Sequence, residues 1–127
     1  MFESDFRITS LDEVSIWGEA DIYGGEELFL ESVIRLAAYH ARYLTNFEKL
    51  VYLVKVRRCN FSYPVSGKWQ IYGQLLGRSA GSFLYELKAA GGGTLTGQFL
   101  LGTSPYTREM GTDMREFYRR RFFAYYR

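Results

Sequence analysis

The chain has 127 residues, 47% of them hydrophobic and 18% aromatic, with 16 basic against 14 acidic side chains. One compact domain with a real core is expected, and a net charge of +2 is too small to specify a nucleic-acid partner. The single cysteine, Cys59, cannot form an internal disulfide, and with only one histidine beside it neither a zinc site nor a cofactor is expected.

Met1–Ile8 carries acidic residues and no long apolar stretch, so it does not read as a signal peptide. No run approaches the ~18 apolar residues that a membrane span needs, and a soluble cytoplasmic protein is expected. Val14, Ile16, Gly18, Ala20 and Ile22 alternate with Ser15, Trp17, Glu19 and Asp21, the period of a strand with one buried face. Gly24-Gly25 breaks that pattern, and Glu26-Glu27 puts negative charge where a helix would start. Leu28, Val33, Ile34, Ala37, Ala38, Ala41 and Leu44 then recur at helical spacing, and Phe29, Leu30 and Leu36 widen the stripe. Such a helix needs apolar contact around most of its girth, which a curved antiparallel sheet would supply.

Beyond Thr45-Asn46 the pattern becomes strand-like over Leu50–Phe61, Trp69–Leu76, Phe83–Ala89 and Thr94–Leu101. The bend Phe61–Gly67, the segment Gly77–Ser82 and Gly91-Gly92-Gly93 separate these runs. The triple glycine lacks the spacing of a phosphate-binding loop and reads as a turn. Cys59 falls inside a strand-like run and reads as a small buried hydrophobe.

The last segment, Pro105–Arg127, returns to helical spacing. Met110, Met114, Phe117, Arg121 and Tyr125 form one row, with Tyr118 and Phe122 beside it. Six arginines there face three acidic residues, so the tail is basic. A helix docked on the body or on a neighbouring subunit is expected, with an acidic partner or a membrane surface as the alternative. The fold class is therefore α+β, a single domain over 1–127 whose residues 105–127 form a helical tail.

The order strand, long apolar helix, meander of strands resembles the hotdog fold, in which a sheet wraps a central helix. More narrowly, Leu28–Ala38 is similar to the helix of the 3-hydroxyacyl-(acyl-carrier-protein) dehydratases, where a catalytic acid follows a short aliphatic run. Tyr52–Val56 and the Phe61-Ser62-Tyr63-Pro64-Val65 bend are similar to that family's next strand and its Phe-x-x-Pro-Val turn. The likeness covers about 60% of the chain, Leu28–Gly102. It implies an acyl thioester on acyl carrier protein or coenzyme A as ligand, a role in fatty-acid or related lipid metabolism, and at least a homodimer. Three departures accompany it: the family's histidine loop before the helix is missing, Arg35 replaces a common glutamine, and the bend is shortened.

The resemblance implies Glu31 as catalytic acid or base, with Gly24, Gly25, Arg35, Phe61, Pro64 and Val65 around the substrate. A helix N-terminus presents N–H groups without helical partners, and those beside Gly24-Gly25 would polarise a thioester carbonyl. Both glycines are also ordinary turn residues, and Glu31 with Arg35 is also an i,i+4 ion pair. His40 lies nine residues beyond Glu31, which is about 180° around a helix and ~13 Å along it, so the two cannot act together. His40 is read as a surface or interface residue. Three functions stay open: a dehydratase-like enzyme, an acyl thioesterase using Glu31, and a non-catalytic hotdog protein that binds acyl chains or partners an active subunit.

Overall fold

Alternating apolar and polar side chains lay down six strands here, and two stretches of helical spacing add two helices. The computed structural model describes residues 5–23, 25–62, 66–109 and 111–126. In chain order these form β1 (Asp5–Leu11), β2 (Ser15–Ile22), α1 (Glu26–Leu44), β3 (Lys49–Phe61), β4 (Gly67–Ser79), β5 (Ser82–Ala90), β6 (Thr94–Pro105) and α2 (Gly111–Tyr125). The strands make one antiparallel sheet in the order β1-β2-β4-β5-β6-β3. Three neighbouring pairs are hairpins, while α1 carries the chain from β2 across to the far edge strand β3.

The sheet buries one face against α1. Phe29, Val33, Leu36, Ala37 and Ala41 point from the helix into the sheet and are fully buried. They meet Ile16 and Ile22 of β2, Trp69 and Ile71 of β4, Tyr85 and Leu87 of β5, and Phe99 of β6. Phe29 packs its ring 4.4 Å from Trp69. Burial of this order, at ~25 cal/mol per Å² of apolar surface, is what holds the helix in place. The expected wrapped helix is present.

Both ends of α1 are fixed locally. Gly25 caps the N-terminus with no side-chain hydrogen bond. At the C-terminus the Thr45 hydroxyl donates to the Ala41 carbonyl at 3.0 Å. Asn46 and Phe47 then take positive φ (55° and 60°), turning the chain towards β3. Burial of the Phe47 ring, 5.3 Å from Phe122, holds that conformation, which bulky residues otherwise avoid.

Several boundaries differ from the sequence expectation. β1 was not anticipated, yet Phe6 and Ile8 are buried in the alternation of a strand. Val14 is exposed and sits in the β1–β2 turn, where Asp12 Oδ1 accepts the N–H groups of Val14 (2.9 Å) and Ser15 (2.8 Å). β4 runs to Ser79 through an irregularity between Leu75 and Gly77, so the expected Gly77–Ser82 loop shrinks to a turn at Ala80-Gly81. Helix α2 does dock on the body, but through Tyr118, Phe122 and Tyr125, with Phe117 left exposed. Phe122 stacks on Tyr43 at 5.6 Å, and Tyr125 meets Tyr39 at the same distance. Cys59 is half-buried. Among the described residues no helix is long and apolar enough to cross a membrane.

One close approach sets the spacing of helix and sheet. A Cβ on Gly18 of β2 would lie 2.8 Å from the Arg7 carbonyl oxygen and 2.8 Å from Leu36 Cδ1. Gly18→Val must therefore push α1 off β2, and overpacking of this kind costs about 1–3 kcal/mol. Urea denaturation should show that loss as a lowered midpoint, and an unchanged midpoint would contradict the contact.

Candidate functional site

The flank of α1 opposite the sheet decides where chemistry can occur. Leu30, Ile34 and Ala38 on that flank are only half-buried, and with Val51, Leu53 and Leu101 they wall a cleft of about 780 Å³. α2 closes one side with Phe117 and Tyr118. The cleft runs along α1 from Glu27 to Arg42, fifteen residue steps or about 22 Å of helix axis.

Glu31 and Arg35 stand on this cleft and touch each other. Arg35 Nη2 donates to Glu31 Oε1 at 2.8 Å, one helical turn away. The pair is asymmetric, with the Glu31 side chain 63% exposed and that of Arg35 only 22%. Glu31, the acid or base that the resemblance implies, sits at the wet rim of an open cleft. The reason is angular: Phe29, Val33, Leu36 and Ala37 claim the sheet-facing side, which leaves position 31 facing outward. Arg35 lies 5.4 Å from the Phe6 ring centre, which explains its partial burial.

The other expected site residues separate. Gly25 precedes the first turn at the Glu27 end of the cleft, and a Cβ there would meet nothing within 4 Å. Phe61 packs at 5.9 Å from Phe29 on the core side of the helix and does not line the cleft. Gly24, Pro64 and Val65 lie outside the described residues. The structure thus brings Glu31 and Arg35 to one cleft and places Phe61 elsewhere.

His40 is neither at the surface nor at an interface, as had been expected. It is completely buried. The Asp12 carbonyl, 2.8 Å from Nε2, can only accept, so Nε2 carries the proton. Nδ1 then accepts the Tyr85 hydroxyl at 2.7 Å. Burial pushes the Tyr85 phenol up and keeps that donor protonated, while burial also pulls the imidazole below its ordinary value. The 180° separation from Glu31 was read correctly. Because Glu31 faces outward, that half-turn aims His40 into the sheet, where it ties α1 to β5 and to the β1–β2 turn.

Sequence reading passed over Arg42, the cleft's most unusual residue. Its side chain ends the Leu30–Ile34–Ala38 flank, is 7% exposed overall, and lies with its guanidinium carbon 3.8 Å from the Tyr118 ring centre and 5.0 Å from that of Tyr39. Its Nε has no hydrogen-bond partner, and it makes no ion pair among the described residues. Burial pulls its pKa below the ordinary value, though a guanidinium remains charged. Withdrawing an unpaired cation from water costs several kcal/mol, of which two aromatic faces return roughly 2. The nearby Tyr106 hydroxyl is also buried without a partner. The signal available in sequence was an arginine in phase with an apolar helix flank, i+4 from Ala38.

No protein-family model and no curated protein matches the sequence. Solved structures do match. A thioesterase from Haemophilus influenzae superposes with a TM-score of 0.66 at 10% identity, covering 83% of this chain and 82% of its own. A mutant thioesterase from Pseudomonas aeruginosa gives 0.65 at 10%, covering 80% and 82%. A thioesterase family protein from Silicibacter pomeroyi gives 0.65 at 12%, covering 80% and 86%. At these identities the likeness establishes the fold: this chain has the hotdog fold, with α2 as its C-terminal helix.

The buried imidazole makes stability depend on pH with a definite sign. The native state holds His40 neutral while the unfolded chain takes up a proton near 6.5, so the unfolded state binds more protons as pH falls below that value. Stability from this group is complete above 6.5 and is lost as pH drops towards the depressed native value. Denaturation midpoints measured downward from neutrality should fall for the parent and stay flatter for His40→Gln over the same window. Parallel curves would show that His40 does not carry the dependence.

Proposed function

We propose that this chain binds acyl thioesters in the cleft between α1, β3 and α2, and hydrolyses them with Glu31 as general base. The cleft carries the proposal: its volume of about 780 Å³ falls within the range of small-molecule sites, its walls are apolar, and an ionisable pair stands on its rim. Glu31 Oε1 is held by Arg35, which leaves Oε2 to take a proton from water. That water would attack the thioester carbonyl carbon. The N–H groups of the first turn of α1, uncapped by any side chain at Gly25, would stabilise the resulting oxyanion. Collapse then breaks the C–S bond, and the departing thiolate recovers the proton from Glu31, giving a carboxylic acid and a thiol.

Hydrolysis is favoured over the dehydratase-like chemistry that the sequence resemblance implied. Dehydration of a 3-hydroxyacyl group needs a second proton-transfer group across from the acid. His40 has both ring nitrogens occupied on the far side of the helix and cannot serve. The carrier would be coenzyme A or acyl carrier protein. Arg119, Arg120 and Arg121 lie exposed on α2, which suits an acidic carrier and would speed encounter. A homodimer fits the outer side of edge strand β3, which among the described residues pairs only with β6 and exposes Tyr52, Leu53, Val54 and Val56 beside the open cleft. A second reading, non-catalytic acyl binding, is favoured by one observation: Glu31 is water-exposed and already engaged by Arg35.

Incubation with dodecanoyl-coenzyme A and detection of released thiol separates these readings. Turnover that drops about 100-fold or more in Glu31→Gln is the expected result, since positioned general bases contribute at least that much. Binding with no thiol release in the parent supports the non-catalytic reading. Formation of a conjugated double bond from a 3-hydroxyacyl thioester would restore the dehydratase. For the dimer, sedimentation should give twice the chain mass, and Val54→Lys should reduce it to one.

A further inference from the structure

We infer that the Arg42 end of the cleft is a binding site for the head group of a long-chain carboxylate, whose aliphatic tail lies along Leu30, Ile34 and Ala38. Three observations converge. Arg42 is a nine-tenths buried cation that lines the cleft with no carboxylate against it among the described residues and with Nε unbonded. The walls leading away from it are aliphatic, from Ala38 and Val51 back to Leu30. The opposite end carries Glu27 and the Glu31–Arg35 pair, whose summed charge is negative and so favours an amphiphile with its anion at Arg42.

The charge count selects the head group. Arg35 is neutralised by Glu31, and Arg121 is exposed, donating to the Tyr125 hydroxyl at 2.9 Å. Among the described residues lining the cleft, one buried cation without an ion pair remains, matching a monoanion better than the dianion of a phosphate monoester. A guanidinium also offers parallel N–H donors to a planar carboxylate, and its stacking on Tyr118 and Tyr39 fixes the plane in which they point. Arg42 acts here as a recognition residue and takes no part in a chemical step. The inference uses the same cleft as the thioester proposal but not its chemistry, because a free acid would bind whether or not any thioester is cleaved.

Calorimetric titration of the full chain with dodecanoate and with 1-dodecanol provides the test. The acid should bind the parent about tenfold or more tightly than the alcohol, the size expected for a charge-assisted hydrogen bond. That preference should vanish in Arg42→Gln and persist in Arg121→Gln. On the parent protein alone, the Arg42 Nε–H resonance should move on addition of dodecanoate and stay put with 1-dodecanol, a readout that does not depend on any variant folding. Equal affinity for acid and alcohol, a preference that survives Arg42→Gln, or an unmoved Arg42 resonance would each overturn the site. Tighter Arg42-dependent binding of dodecyl phosphate than of dodecanoate would overturn the assignment of a carboxylate. Failure of thioester turnover leaves all of these readouts intact.

Discussion

A six-stranded antiparallel sheet that curls has one concave face to keep dry, and here α1 fills it. Phe29, Val33, Leu36, Ala37, His40 and Ala41 all occupy the sheet-facing side of that helix, and each is buried. Because 3.6 residues make a turn, the choice of which positions face the sheet fixes every other position on the helix. Glu31, Arg35 and Ala38 must then lie on the opposite flank. The location of the cleft is a consequence of core packing, settled before any functional side chain is considered.

Polar groups inside that core reinforce the same orientation. His40 satisfies both ring nitrogens by bonding to β5 and to the turn that Asp12 shapes. Rotating α1 by even one position would strand an imidazole and a phenol in an apolar interior, each costing about 1–3 kcal/mol. Gly18 supplies the steric counterpart, since only a residue without Cβ lets Leu36 sit so close to β2. Hydrogen bonding and close packing therefore specify the helix's rotation and its height above the sheet independently.

Much of this was legible in the sequence, and the omissions have physical causes. The long helix and five of the six strands declared themselves through periodicity, as did the sheet that wraps the helix. β1 escaped because Phe6 and Ile8 are too short a run of alternation to stand out, and its pairing with β2 is a tertiary fact. In the tail, two apolar rows compete at helical spacing, and only docking shows that Tyr118 and Phe122 win over Phe117. Arg121 interrupts the losing row and could have tipped the choice. The helical angle between Glu31 and His40 was right, yet an angle alone does not say which of two opposed residues faces the core. That is decided by the summed burial of their neighbours. His40 consequently reads as a surface residue, although its neighbours carry it into the core.

Arg42 illustrates a different limit. On a helical wheel it continues the outward flank and would pass for a solvated cation. It becomes buried only because α2 folds back and lays Tyr118 over it, an event that periodicity within either helix does not encode. The same docking converts the open side of α1 from a surface into a cleft, with Phe117 and Tyr118 as one wall. The C-terminal helix thus performs two operations at once: it confines an apolar groove, and it strips water from the cation at the groove's end. A charge desolvated inside a space that stays open interacts with an incoming anion far more strongly than the same charge in bulk water. An ordinary surface arginine carries no such bias, so the anion preference inferred for this cleft follows from where the tail helix lands on α1.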